Sequence, residues 1–178
     1  VAALSLLERS SSPVYFPLRG ASLESGLVDF SYAQFDGGSL SFDSAKFRGS
    51  DVTFEGATVA SGSITFRNAR VVGGRIEFKT CRLSGGVVDL SDAEVVVKPD
   101  KEHLLSFEES ELRAGKISFR RVKFADDRNI EPYEHRTHSN QVSFYSAKLL
   151  GATVDFRDTQ LHGGRISFSH SELDGSRI

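Results

Sequence analysis

A ladder of large apolar residues at a strict spacing of twelve constrains this chain more than any other feature. After two interruptions the ladder resumes with the same period. Its rungs are Leu18, Phe30, Phe42, Phe54, Phe66, Phe78, Leu90, Phe107, Phe119, Phe144, Phe156 and Phe168. An aliphatic column lies two positions before the rungs, and a column of Leu, Val or Phe lies five positions after them. All 14 Phe of the chain lie in these three columns, so the period is a property of the whole sequence.

The residues between the columns are equally regular. Two positions before the third column lies a small residue, and glycine pairs recur just ahead of the aliphatic column. The small column reads Ala21, Ala33, Ala45, Ala57, Ala69, Cys81, Ala93, Ser110, Ala147, Thr159 and Ser171, with Val122 as the larger exception. Apolar and polar residues alternate with the two-residue period of a strand, and no helical period is sustained. The pattern predicts an all-β solenoid whose corners lie at the glycine pairs.

The stretches Ala33-Gln-Phe-Asp-Gly, Gly38-Ser-Leu-Ser-Phe and Ala45-Lys-Phe-Arg-Gly resemble the pentapeptide-repeat family. The family's unit is Ala-polar-Leu/Phe-x-x, and the resemblance covers Pro13 to Ile178. It implies a right-handed, four-sided β-helix with the small residue and the central Leu or Phe pointing inward. The chain departs from the family pattern because every second unit has seven residues and an additional inward Phe.

The additional inward Phe of the seven-residue units determines the size of the coil. Twelve residues at 3.3 Å each give a circumference of roughly 40 Å, which is too tight for two aromatic rings and three smaller side chains. We therefore predict coils of about 24 residues, four-sided or oblong, with Phe side chains stacked into ladders. About six such coils form the rod.

Composition excludes several classes of protein. The 22 Lys and Arg nearly balance the 24 Asp and Glu, so we expect no direct nucleic-acid binding. A single cysteine, Cys81, excludes a disulfide-stapled scaffold, and no apolar run is long enough to span a membrane. These features fit a cytoplasmic protein.

We make a structural prediction for each end of the sequence. We assign residues 1–13 to an N-terminal cap or linker, in which Val1 to Leu7 has helical character, and residues 14–178 to the solenoid. Because the chain lacks an initiator Met and stops in the aliphatic column at Ile178, it is expected to derive from a longer chain or a processed one. Alternatively the rod ends in an open edge, which would permit an end-to-end homodimer.

Two insertions interrupt the ladder, near residues 96–104 and 125–140, and insertions in a solenoid form loops on its surface. The first adds five residues around Lys98 to His103, and the second adds thirteen. The second insertion is the candidate partner-binding loop. Its candidate residues are Asp126, Asp127, Arg128, Glu131, Tyr133, His135, Arg136 and His138.

For the histidines of the long insertion and for Cys81, a structural role is favoured over metal binding or catalysis. His135 and His138, with carboxylates nearby, lack a fixed third ligand, so a solvated loop is favoured over a metal site. Cys81 replaces Ala in the small column, which indicates a buried thiol and not a nucleophile. No nucleophile elbow, phosphate loop or zinc spacing is present, so we predict no enzymatic activity, no cofactor and no small-molecule substrate.

A polar column lies between the aliphatic and Phe columns, and its alternation predicts an outward position. Its members are Asp29, Ser41, Thr53, Thr65, Glu77, Asp89, Ser106, Ser118, Ser143, Asp155 and Ser167. A flat Ser/Thr array is typical of ice-binding solenoids, but carboxylates interrupt this one. We interpret it as short polar residues on exposed strands.

Three functional hypotheses follow. The first is a non-catalytic scaffold that presents its two loops and a polar wall to a protein partner. The second comes from the family resemblance, since some pentapeptide-repeat proteins inhibit or protect a type II topoisomerase such as gyrase by mimicking DNA. The net charge of −2 argues against the acidic stripe that such mimicry needs. The third is a structural spacer in a longer protein.

Overall fold

The computed structural model describes residues 15–97, 104–126, 140–162 and 165–178. Within these ranges every regular element is a β-strand, and strands pair in parallel with the strands of neighbouring coils. The strands form two sheets, which are the two broad walls of a coiled chain. The predicted all-β, right-handed β-solenoid is confirmed as the fold class. The helical cap predicted for Val1 to Leu7 lies outside the described residues.

The first sheet carries both insertions and is named the loop face. It consists of β2 (Ser22–Asp29), β4 (Lys46–Thr53), β6 (Arg70–Val72), β7 (Ile76–Glu77), β10 (Glu94–Val97), β11 (Leu105–Ser106), β14 (Lys123–Asp126), β15 (Asn140–Ser143), β18 (Gln160–Leu161) and β19 (Arg165–Ser167). The second sheet is named the plain face. It consists of β1 (Tyr15–Pro17), β3 (Gln34–Ser41), β5 (Thr58–Thr65), β8 (Arg82–Leu83), β9 (Val87–Asp89), β12 (Glu111–Leu112), β13 (Lys116–Ser118), β16 (Lys148–Leu150), β17 (Thr153–Asp155) and β20 (Glu172–Asp174).

The strand register gives the length of each coil. Thr58 of β5 pairs with Arg82 of β8, and this step of 24 residues equals the one that joins Asp51 to the Arg75 amide. The next step in the same column runs from Arg82 to Glu111 and takes 29 residues, like the step that joins Cys81 to Ser110.

The step after that, from Glu111 to Lys148, is longer than the basic coil by thirteen residues. The two longer steps therefore exceed the basic coil by five and by thirteen residues, which are the lengths of the two insertions. The predicted coil length is correct, and each insertion lengthens one coil.

The chain passes between the two faces through tight turns that the sequence analysis did not predict. In one of them the Ala45 amide donates to the Phe42 carbonyl at 3.0 Å, and Ser44 has a φ of 59°, which is the pattern of a type II turn. Every turn of this column has a left-handed residue, although only two of those residues are glycine. They are Gly20, Tyr32, Ser44, Gly56, Asn68, Thr80, Asp92, Glu109, Arg121, Ser146, Asp158 and His170. The stacked coils thus hold non-glycine residues in a conformation that glycine normally occupies.

The glycine pairs lie at a corner in the middle of each sheet, where the strand bends. Gly37 and Gly38 lie within the continuous strand β3, whereas Gly73 and Gly74 separate β6 from β7. A Cβ atom added to Gly74 would lie 2.0 Å from the Ser50 carbonyl oxygen of the preceding coil. The stacking of coils at this point therefore requires glycine.

Phenylalanine side chains fill the interior in two stacked ladders. In the first ladder Phe78, Phe107 and Phe144 stack with ring centroids 4.9 Å and 5.0 Å apart and nearly parallel planes. The second ladder contains Phe119 and Phe156, whose rings stack at 4.8 Å. Phe107 meets Phe119 edge to face at 6.1 Å, so the ladders also contact each other favourably. The buried members are Phe30, Phe42, Phe54, Phe66, Phe78, Phe107, Phe119 and Phe144, and Phe156 and Phe168 are partly buried.

Candidate functional site

Both insertions leave the solenoid at the same corner of two consecutive coils. Val97, the last residue of β10, pairs with Asp126, the last residue of β14. After the insertions Leu105 of β11 pairs with Val142 of β15. Neighbouring strands lie about 4.8 Å apart, so the roots of the two insertions are adjacent on the loop face. In the preceding coil the same corner is the Gly73–Gly74 bend.

The candidate partner-binding residues lie almost entirely in the second insertion. Asp126 ends β14, and its backbone is fixed by the pairing with Val97. The remaining seven lie outside the described residues: Asp127, Arg128, Glu131, Tyr133, His135, Arg136 and His138. The partner-binding role of the insertion stays a prediction.

A charged network lies on the loop face beside this corner. Arg75 binds the carboxylate of Asp51 at 2.9 Å and that of Glu77 at 3.2 Å. In the same coil Lys79 lies 3.4 Å from Glu108 of the next coil, and Glu108 also accepts a hydrogen bond from the Ser143 hydroxyl at 2.8 Å. The network joins four consecutive coils and gives the corner a fixed pattern of charge.

The polar column that the sequence analysis placed on exposed strands is largely buried, so that interpretation is wrong. Its buried members are Thr53, Thr65, Ser106, Ser118, Ser143 and Asp155. The column lies where a face ends and the tight turn begins, and its side chains accept hydrogen bonds from the backbone amide two residues later. These bonds join Ser31 to Asp29, Asp43 to Ser41, Glu55 to Thr53, Ser91 to Asp89, Glu108 to Ser106, Tyr145 to Ser143, Arg157 to Asp155 and Ser169 to Ser167.

This hydrogen bond explains the residue types of the column. Asp, Ser and Thr are the residues whose short side chains make Asx and ST turns, and all but Glu77 of the column belong to this group. The signal was present in the sequence as a period of twelve in Asp, Ser and Thr. The column consequently stabilises turns, and a flat array for binding ice is not formed.

Asp155 is the most strongly perturbed carboxylate of the column. Its side chain is buried and accepts two hydrogen bonds from the Arg157 guanidinium at 2.6 Å and 2.9 Å. The bond from Arg157 and the nearby charge of Lys116 at 3.6 Å outweigh the cost of burial and hold the pKa of Asp155 well below its usual range. Asp155 therefore remains charged near neutral pH and serves the turn, not proton transfer.

The thiol and the acidic groups of the described residues are poorly placed for catalysis or metal binding. Burial raises the pKa of the Cys81 thiol to about 12, so the nucleophilic thiolate does not form near neutral pH. In the described ranges no three of His, Cys, Asp and Glu are grouped to hold a metal ion. One shallow hollow of about 320 Å³ lies on the plain face, where Arg113 already binds Glu111. The part of the chain that the structure describes contains no helix long and apolar enough to cross a membrane.

Comparison with known proteins places no further constraint on function. No family model and no curated protein matches the chain. One similar solved structure is HetL, a pentapeptide repeat protein involved in heterocyst differentiation regulation from the cyanobacterium Nostoc sp. strain PCC 7120. It has 14% identity and a TM-score of 0.13, with 89% of this chain and 87% of that chain covered. Another is Rfr23, a pentapeptide repeat protein from the cyanobacterium Cyanothece 51142, with 13% identity, a TM-score of 0.16, and 87% and 89% of the two chains covered.

Both structures belong to the family that the sequence resembles. TM-scores this low, however, do not establish that the chain shares their fold or their function. The strand registers alone define the class of protein. The chain is a β-solenoid repeat protein whose basic coil has 24 residues and whose two insertions share one corner.

Proposed function

We propose that this protein is a non-catalytic interaction module, a rigid solenoid that presents its long insertion to a protein partner. The observation that carries the proposal is the placement of both insertions at one corner of adjacent coils. Elsewhere the described coils keep the basic register, so length has been added at a single place. Loops held on a rigid scaffold are where binding residues concentrate.

The sequence around the corner also suits a protein partner. The second insertion contains Tyr133, Arg128 and Arg136, and Tyr and Arg are enriched among the residues that dominate protein interfaces. The fixed charges of Arg75, Asp51 and Lys79 beside the roots would give the surface electrostatic selectivity.

The alternative of topoisomerase inhibition by DNA mimicry gains no support from the charges that are described. Mimicry requires a continuous row of unpaired carboxylates to replace phosphates. Here Asp89, Asp92 and Asp155 are each paired with an arginine. A DNA supercoiling assay with gyrase tests this alternative, and absence of any effect at micromolar protein would remove it.

Removing residues 127–139 tests the interaction proposal without disturbing the coil, because the deletion restores the basic register. We expect the wild type to retain a specific partner from native lysate and the deletion variant to bind it at least about tenfold more weakly, a loss of about 1.4 kcal/mol. The partner is identified by mass spectrometry, and its affinity is then measured with purified components by calorimetry.

Deletion of residues 99–103 is the matched control, since it also restores the register at the neighbouring root. Far-ultraviolet circular dichroism and thermal melts verify that both variants are folded. The proposal is contradicted if the variant lacking residues 127–139 is folded and binds every partner with wild-type affinity.

A further inference from the structure

A shallow hollow on the plain face is lined by residues of three consecutive coils. Thr58 of β5 pairs with Arg82 of β8, and Arg82 pairs with Glu111 of β12. Paired residues of parallel strands point to the same side of the sheet, and neighbouring strands lie about 4.8 Å apart. Ser84 and Arg113 lie two residues further along the chain, so they belong to the same side. The hollow that these residues line has a volume of about 320 Å³.

Arg82 lines this hollow without a carboxylate partner. Arg70 occupies the equivalent position on the loop face, and it binds Glu94 of the next coil at 3.1 Å. The same step from Arg82 leads to Glu111, but Glu111 binds Arg113 of its own coil instead. In the described part of the chain the Arg82 guanidinium forms no ion pair and no hydrogen bond.

Two hydroxyl groups beside Arg82 are also without partners. Among the described residues, neither the Thr58 hydroxyl nor the Ser84 hydroxyl takes part in a hydrogen bond. A guanidinium presents a planar fork of N–H donors, and each hydroxyl adds one O–H donor. The hollow therefore combines donors with a positive charge that has no partner, and this combination is suited to binding an oxyanion.

The charge of the hollow determines which oxyanion it suits. Its ionic groups are two arginines, Arg82 and Arg113, and one glutamate, Glu111, so the net charge is +1. One carboxylate neutralises this charge, whereas a phosphate dianion would exceed it and would be repelled by Glu111. The fork of a guanidinium also matches the two oxygens of a carboxylate.

We propose that this hollow binds one carboxylate, supplied by an aspartate or glutamate side chain of a protein partner. Its volume lies at the lower limit of ligand pockets. Because the hollow is shallow and open on an exposed wall, it suits a side chain that projects from another protein. The site lies on the plain face and both insertions lie on the loop face, so the proposal goes beyond the proposed function and its test does not involve the insertions.

Arg113 is a positioning residue in this site. By binding Glu111 it holds that carboxylate away from Arg82. Without Arg113, Glu111 is free to close across the coils onto Arg82, as Glu94 closes onto Arg70. The pairing of Arg113 thus keeps the Arg82 guanidinium available to a ligand.

Titration with blocked glutamate, N-acetylglutamate N-methylamide, tests the site by nuclear magnetic resonance near neutral pH and at constant ionic strength. We expect saturable shifts of the Thr58 and Ser84 amide signals, with a Kd on the order of 10 mM. Arg82→Gln should weaken this binding by at least about tenfold. Arg70→Gln is the matched control at the equivalent position and should leave it unchanged. Blocked glutamine, the neutral isostere, should give no saturable shift.

A second pair of variants separates the site from general attraction of anions to a charged surface. Arg113→Gln should weaken binding by about tenfold, because Glu111 then pairs with Arg82. Lys148→Gln removes the same charge from the coil on the other side of Glu111 and should leave binding unchanged. Arg70, Arg82, Arg113 and Lys148 are all exposed, and circular dichroism verifies that the variants are folded.

Several results would overturn the proposal. They are the absence of a saturable shift, equal weakening by Arg82→Gln and Arg70→Gln, and equal weakening by Arg113→Gln and Lys148→Gln. Tighter binding of inorganic phosphate than of blocked glutamate would assign the hollow to a phosphate group. Tighter binding of acetate would assign it to a free small carboxylate. Either assignment also overturns the proposal.

Discussion

Substitution of Phe107 by Ala is expected to lower the free energy of unfolding by about 3–5 kcal/mol. The Phe107 ring is buried, stacks on Phe78 at 4.9 Å and on Phe144 at 5.0 Å, and meets Phe119 edge to face. Alanine would leave a cavity with aromatic walls on three sides, and parallel strands fixed by the ladder of hydrogen bonds cannot collapse into it. Urea unfolding followed by far-ultraviolet circular dichroism measures the loss.

The matched control is Phe168→Ala in the same ladder. Phe168 is only partly buried and stacks on one neighbour of its ladder, Phe144, at 4.8 Å. Its loss is expected to be smaller by at least about 1 kcal/mol, because less surface returns to water. Equal losses at the two positions would show that ring stacking between coils does not determine the stability of the core.

Substitution of Gly74 by Ala is the second large effect, with an expected loss of about 3 kcal/mol, at the upper end for overpacking. The added methyl group would lie 2.0 Å from the Ser50 carbonyl oxygen, and that oxygen belongs to the backbone of the neighbouring coil. Backbone cannot rotate away as a side chain would, so the two coils must separate locally. Thermal melts and urea titrations measure the change.

Gly49→Ala separates this steric effect from backbone preference. Gly49 has a φ of 71° but no atom within 4 Å of an added Cβ. Alanine there should cost only about 1 kcal/mol, which is the typical cost of a left-handed non-glycine residue. If Gly49→Ala proves as damaging as Gly74→Ala, contact between coils is not what fixes the glycine column.

The periodicity of the apolar residues was sufficient to predict the class of fold. Phe42 and Phe47 in one repeat forced a coil of two repeats, because a single one would not enclose both rings. The same period located the insertions, since any residue that breaks the ladder must leave the wall. These predictions depend only on side-chain size and on the two-residue alternation of strands.

The tight turns were not predicted, because most of their left-handed residues are not glycine. Left-handed conformation usually indicates glycine, yet Tyr32, Arg121 and His170 adopt it here. Stacking of coils and the Asx and ST hydrogen bonds impose the conformation regardless of the residue that occupies it. The polar column was misplaced for a related reason, since alternation gives the direction of a side chain but not what covers it.

The common corner of the two insertions could have been predicted from their spacing in the sequence, but the sequence analysis did not predict it. Lys98 and Asp127, which open the insertions, are separated by one basic coil plus the length of the first insertion. Two loops separated by one coil must emerge beside each other.

The register of two repeats per coil is the claim on which the rest depends, and thiol cross-linking tests it most directly. In a Cys81→Ala background, dibromobimane bridges only thiols that lie a few ångströms apart. Thr58 and Arg82 are direct partners on the plain face, whereas Arg70 lies halfway between them in sequence and belongs to the loop face. We predict that the Thr58→Cys, Arg82→Cys variant cross-links within the monomer and that the Thr58→Cys, Arg70→Cys variant does not. Cross-linking of the second pair and not of the first would contradict the account.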